Sequence, residues 1–222
     1  MSIVIAVDGT AASGKGTLAK RLAAHFGFAH LDSGALYRLT ALAVLVAKGD
    51  PGNEQDAIRG AQSMDLSRAG DPQIRTEIVG KAASQVAAIP AVRRALLEFQ
   101  QNFLAHPPGG SPGAVMDGRD IGTVICPDAT AKLYVDARPE VRARRRWSEL
   151  TSMNIRRTEQ EVLAELIARD AADKSRPIAP LKQAPDADLL DTSDLGIDAA
   201  FAAALALVTP KIEGALKDRH RG

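Results

Sequence analysis

The chain has 222 residues, the size of one α/β domain or two small ones, and 45% of them are hydrophobic, enough for a substantial core; aromatics are only 4%, so that core must be mostly Ala, Val, Leu and Ile. A net charge of +1 argues against a nucleic-acid binder that works by bulk charge, while leaving room for a local basic pocket. The single cysteine, Cys126, excludes an internal disulfide and gives secretion no support.

Residues 3–7 (IVIAV) form a short apolar run that ends at Asp8 and Gly9, the pattern of a strand buried on both faces of a parallel sheet. Five apolar residues are too few for a signal peptide or a membrane span, and no later run approaches that length, so the expectation is a soluble cytoplasmic protein. Residues 17–26 read as a helix stopped by Gly27, and 28–31 as a second strand. Asp32 and Ser33 offer an N-cap to a helix over about 35–47, with Leu36, Leu39, Leu42 and Val46 on one stripe. Residues 54–105 read as mainly helical, broken near Gly70-Asp71-Pro72 and at Pro90, and 106–113 (HPPGGSPG) as a loop. A third strand over 114–116 leads into Asp117, and a fourth spans 132–137. Pro139 opens a helix to about Leu150. A further helix over 159–173 turns Val162, Leu163, Leu166 and Ile167 inward. A fifth strand over 188–191 and a final helix over 197–216, kinked at Pro210, complete the chain. Strand and helix alternate, which predicts an α/β fold with a parallel sheet and no internal repeat.

The segment GTAASGKGT, residues 9–17, lies between the first strand and the first helix. That is the context of a phosphate loop, in which successive backbone N–H groups and a helix N-terminus face phosphate oxygens. Gly9 and Gly14 have the required spacing, and Lys15 would reach the β and γ phosphates of a nucleotide. Gly16 occupies the position where Ser or Thr usually faces the metal, so Thr17 or water must take that part. No Asn-Lys-x-Asp motif for reading a guanine base is present. Asp117, alone at the tip of the third strand, either holds Mg²⁺ through water in line with the phosphates or caps a turn.

Transfer between two phosphates gathers negative oxygens and calls for arginines. Arg38 follows LDSGALY, and Arg119 stands two residues past Asp117. Arg142, Arg145 and Arg146 share a helical face by spacing; Arg169, Asp173 and Arg176 follow on the next helix. Together they point to two phosphate sites and a mobile basic flap over about 142–176.

The motifs GTAASGKGT, LDSGALYR, AASQVAAIPAVR, DGRDIGT, RDAADKSRPIAPL and LLDTS resemble, in that order, those of bacterial cytidylate kinases, and the resemblance covers about residues 3–200. It implies a P-loop NTPase three-layer sandwich with about five parallel strands, a helical monophosphate-binding part and a helical lid. In this chain the core would be about 1–47, 113–150 and 186–222, the monophosphate-binding part about 48–112 and the lid about 151–178. It implies transfer of the γ-phosphate of ATP to CMP or dCMP, with Mg²⁺, by a cytoplasmic monomer without nucleic-acid or membrane partners.

The resemblance places ATP on Gly9, Thr10, Ala11, Ala12, Ser13, Gly14, Lys15, Gly16 and Thr17; Thr17, water and Asp117 stay the candidates for holding the metal. It places CMP on Ser33, Tyr37, Arg38, Ser84, Arg93, Asp117, Arg119, Asp120 and Asp173, and names Lys15, Arg119, Arg169 and Arg176 as the catalytic cations. Asp120 would accept from the cytosine amine, while Ser84 and Arg93 would donate to ring N3 and O2. The chain departs from the family pattern at Thr10, where proline is common, and at Ala172 and Lys174, where arginines are frequent. Between Asp65 and Arg75 it is too short for the small added sheet of some members. A kinase for AMP, UMP, dTMP or shikimate, and a nucleotide-binding regulator without turnover, are the rival readings.

Overall fold

The computed structural model describes residues 2–219. Its elements in chain order are β1 (Ile3–Gly9), α1 (Lys15–Phe26), β2 (Ala29–Asp32), α2 (Ser33–Val46), α3 (Glu54–Ser63), α4 (Glu77–Ala88), α5 (Pro90–Ala105), β3 (Gly113–Gly118), β4 (Ala131–Asp136), α6 (Pro139–Ser152), α7 (Glu159–Ser175), β5 (Asp188–Asp191) and α8 (Ile197–Arg219). The strands form one five-stranded parallel sheet in the order β2-β3-β1-β4-β5, with helices flanking it. Strand β1 is central, pairing in parallel with β3 on one side and β4 on the other. Every residue of β1 is buried, as its unbroken apolar run requires.

The chain divides into two compact units: one runs up to Leu31 and resumes at His106, and the other is Asp32–Ala105. In the first unit, alternate β1 residues Ile3, Ile5 and Val7 pack against Leu18 and Leu22 of α1. On the same face Ala200, Ala204, Val208 and Ile212 of α8, one turn apart, complete the stripe. By length and composition alone α8 could cross a membrane, contrary to the expectation that no run would; its core stripe accounts for part of that apolarity. It continues through Pro210 to Arg219. Helix α1 stops where expected: Gly27 adopts φ +66° and its N–H bonds Ala23 O.

On α7 the inward stripe is Val162, Leu166, Asp170 and Asp173, so Ile167, expected inward, is 50% exposed. The stripe ends in carboxylates because arginines, not apolar side chains, face its last two turns. Thr158 and Glu161 form a reciprocal capping box at the start of α7.

In the second unit α2 packs on α3 and α4, and α3 on α5. Asp32 caps α2 by accepting from the Ala35 N–H. Leu36, Leu39 and Leu42 are buried as predicted, but Val46, in the last turn, is exposed. The sequence reading carried the core to residue 47, whereas α2 groups with 32–105 through its contacts with α3 and α4. The segment between α3 and α4 is two short 3₁₀ turns with no strand.

Candidate active site

The first unit builds the phosphate loop from the tip of β1. Gly9 has φ +152°, and a Cβ there would lie 1.9 Å from Val135 O on β4. Ala12 (φ +58°) and Gly14 (φ +91°) then curl the chain through left-handed conformations into α1. Neighbouring elements hold the loop from outside. Arg142 Nη1 donates to Ala11 O at 3.1 Å, and Thr192 Oγ1 donates to Ser13 O at 2.9 Å. A trans peptide carries its C=O and N–H on opposite sides, so these two bonds turn the Ala12 and Gly14 N–H groups the other way, where an anion can meet them. Lys15 Nζ reaches back to Thr10 O at 3.2 Å. Thr10, in the position where proline is common, uses its buried hydroxyl to donate to Asp136 Oδ1 at 2.6 Å. The Ser13 hydroxyl is buried in the loop without a hydrogen-bond partner.

Asp117 is buried on β3. One of its oxygens is 2.9 Å from His30 Nε2 on β2; the other lies 3.5 Å from the Cβ position of Gly16. The strand-tip carboxylate therefore stands beside the residue that lacks a hydroxyl. Asp117 and Thr17 offer hard oxygen donors suited to Mg²⁺. Among the described residues no three His, Cys, Asp or Glu side chains gather as a metal cage, so an ion there would take most of its ligands from phosphate and water.

Arg119 Nε donates to Asp173 Oδ2 at 2.9 Å, and Arg176 bonds the other oxygen of the same carboxylate. Burial pushes the Asp173 carboxyl up, but the charges of Arg119 and Arg176, helped by Arg169, outweigh it and hold the group below the usual range. Two predicted site arginines, Arg119 just past β3 and Arg176 just past α7, thus meet on the carboxylate of a third predicted residue, Asp173 of α7.

The α6 arginines serve differently from the basic flap expected of them. Arg142, 3% exposed, bonds Ala137 O and Ala11 O and pairs with Asp170 at 2.7 Å. Arg145 donates to Thr192 Oγ1, Thr192 O and Leu195 O, and Arg146 pairs with Glu149. A guanidinium buried as deeply as Arg142 needs such partners, and here they are structural. Trp147 of α6 packs in an apolar cluster with Ala11, Ala12, Val162, Leu163 and Leu166, and its Nε1 donates to Arg157 O at 2.9 Å.

Asp8, just before the loop, is a buried carboxylate whose pKa is raised from 3.8 to about 6. Desolvation is the main cause; the N–H groups of Gly122 and Ile121 oppose it, Asp120 adds to it and Arg119 opposes it. A raised carboxyl pKa gives stability that is complete below the unfolded value near 3.8 and lost as pH rises through about 6. The stability difference between the native chain and Asp8→Asn should therefore shrink by about 2 kcal/mol from pH 4 to pH 7.5, measured by urea unfolding. A pH-independent difference would remove Asp8 from the titration.

In the second unit, the Arg93 guanidinium lies 5.6 Å from the centre of the Tyr37 ring, and its Nη1 donates to Ala87 O at 3.3 Å. Arg38 Nη1 donates to Ile74 O at 2.8 Å. Ser84 Oγ donates to Gly80 O at 3.3 Å, and Ser33 is buried in the first turn of α2. A Cβ on Gly80 would stand 3.4 Å from Arg38 Nη1. Gly80→Ala should stabilise α4 by up to about 1 kcal/mol, because a Cβ there only meets the far end of the Arg38 side chain in ordinary contact. Thermal melts test this, and a lowered melting temperature would contradict it.

Sequence reasoning missed His30 and Asp8. His30 carries no local signal, because its partner depends on β2 lying beside β3. Asp8 does carry one: it is the lone charge in an otherwise buried strand.

A family profile described as "Cytidylate kinase" matches residues 5–210. A protein named Cytidylate kinase from Rhodopseudomonas palustris is 54% identical over 206 residues, 93% of this chain and 95% of that one. Another of that name from Bradyrhizobium diazoefficiens is 50% identical over 220 residues, 99% of this chain and 100% of that one. Among solved structures, an uncharacterized protein from Eubacterium ventriosum aligns with a TM-score of 0.52 over 93% of this chain and 98% of that one. At 14% identity that likeness concerns the fold alone.

Proposed function

The chain belongs to the cytidylate kinase family, and from that premise we infer that it transfers the γ-phosphate of ATP to CMP or dCMP, giving ADP and CDP or dCDP. The observation that carries this is identity of about half across nearly the whole chain to proteins of that name.

We assign the roles as follows. Residues 9–17 hold the ATP phosphates, with Lys15 on the phosphoryl group in flight. Arg38 grips the acceptor phosphate, and Arg119, Arg169 and Arg176 neutralise charge that spreads during transfer. Asp120 accepts from the cytosine amine, while Ser84 and Arg93 donate to its ring acceptors, with Ser33 and Tyr37 beside them. Uracil presents a carbonyl where cytosine has the amine, leaving Asp120 unpaired and uracil disfavoured. Asp173 contacts the ribose; a carboxylate has about four acceptor sites, so it can take a hydroxyl while both arginines stay.

The acceptor is already an anionic phosphate oxygen, so the chain needs no strong general base. Its contribution is positioning and fixed positive charge. Mg²⁺, held by Thr17 and, through water, by Asp117, would supply further neutralisation of the phosphate oxygens. Residues 32–105 form the acceptor-binding part, and about 151–178 the lid that excludes water. The protein works as a cytoplasmic monomer.

Coupled measurement of ADP formation with CMP, dCMP, UMP, AMP, dTMP and shikimate tests the reading. CMP or dCMP should lead. Faster turnover of AMP or shikimate would overturn it, and ATP binding without CMP-dependent ADP would point to a regulator.

A further inference from the structure

Asp8 is the one charged side chain in β1, only 5% exposed, and burying a carboxylate is costly unless its oxygens are satisfied. Two backbone groups satisfy it. Ile121 N–H donates to Oδ1 at 2.8 Å, and Gly122 N–H donates to Oδ2 at 2.8 Å. These are the first two N–H groups of a tight turn over Ile121–Ile125. The turn closes on Asp120, whose carbonyl accepts from the N–H groups of Val124 and Ile125. One side chain therefore holds both ends of a rigid connection. On one side it is covalently next to Gly9, whose backbone is pressed against Val135. On the other it fixes the turn that begins where Arg119 and Asp120 end.

We propose that Asp8 is a positioning residue that sets Arg119 and Asp120 in register with the phosphate loop, so that the base-reading and charge-neutralising groups share one reference point, the tip of β1. This rests on the acceptor roles given above to Arg119 and Asp120. Asp8 touches no reacting atom. A fork of two bonds from one carboxylate fixes direction as well as distance, which a single bond does not. Positioning errors of about an ångström at groups that act by alignment are expressed in rate and selectivity more than in stability.

Asp8→Asn tests it. Asparagine has one carbonyl oxygen, and its NH₂ faces the second N–H, so one arm of the fork is lost. In the full chain, amide hydrogen exchange at Ile121 and Gly122 should speed up about tenfold or more relative to Val115 on β3. The ratio of kcat/KM for CMP over UMP should fall about tenfold, while KM for ATP stays within about twofold. Unchanged exchange at the two amides overturns the proposal, as does a lowered melting temperature with kcat and selectivity intact, which would mark a purely structural residue. Should the asparagine variant not fold, Gly122→Ala probes the same turn from its other end, since its Cβ would stand 3.1 Å from Cδ of Lys132, a buried side chain held by Pro127 O and Asp186, and must shift the turn against Asp8; the same outcomes decide. The exchange measurement needs no substrate. If the native chain forms no ADP with CMP, the functional reading fails while the anchoring of the turn is judged on its own.

Discussion

Lys15→Ala should lower kcat with CMP about a thousandfold or more, a loss of ~4 kcal/mol of transition-state stabilisation, and leave the fold intact. Lys15 is half-buried at the first position of α1, and its ammonium reaches Thr10 O across the loop. Alanine is the best helix former, so α1 should not suffer. The loop also keeps its outside braces, the bonds from Arg142 to Ala11 O and from Thr192 to Ser13 O, so ATP should still bind through backbone N–H groups. On the role proposed for Lys15, what is lost is the charge that would meet the phosphoryl group as its negative charge spreads. The signature is a fall in kcat far larger than any rise in KM for ATP, with an unchanged melting temperature. A near-normal kcat would remove Lys15 from the mechanism.

The second large effect is on stability. Gly9→Ala should destabilise the chain by at least about 4 kcal/mol, lowering the melting temperature by roughly 8–16 °C for a chain of this size. Two separate causes add. At φ +152° a Cβ is strained wherever there is space, and here there is none, because Val135 O lies 1.9 Å from its position and Val135 C 2.9 Å. Both are backbone atoms of the adjacent strand, in register with Gly9, so relief means parting β1 from β4 at the centre of the sheet. Differential scanning calorimetry gives the measurement. A shift under a few degrees would show that the strand tip is softer than its geometry implies.

The phosphate loop and the alternation of strands and helices are legible in the sequence, because both rest on local pattern. The run of residues 3–7 must be buried, and Gly9, Gly14 and Lys15 are spaced by the demands of the loop itself. Residues 84 and 93 are not legible in this way. Ser84 and Arg93 look like helix-surface residues, and only the family resemblance singles them out. The approach of Arg93 to the Tyr37 ring brings together residues 56 positions apart in the sequence. Arg142 shows how spacing misleads. Helical periodicity puts it on a face with Arg145 and Arg146, but its partner Ala11 O is 131 residues away, and no local rule reveals a carbonyl waiting there. Ile167 and Val46 fail for a related reason: apolar stripes are read as continuous, yet the first gives way to carboxylates facing arginines and the second runs out into solvent at the helix end.

Trp147 is the sole tryptophan of the chain. It belongs to the apolar cluster that joins Ala11 and Ala12 of the phosphate loop to Val162 and Leu166 of α7, and its indole N–H donates to Arg157 O. The protein thus carries its own optical probe at the junction of the phosphate loop and the helix bearing Arg169 and Asp173. Its intrinsic emission, excited selectively at the red edge of the band, reports on the packing of α6 against α7 with no label attached and no residue replaced.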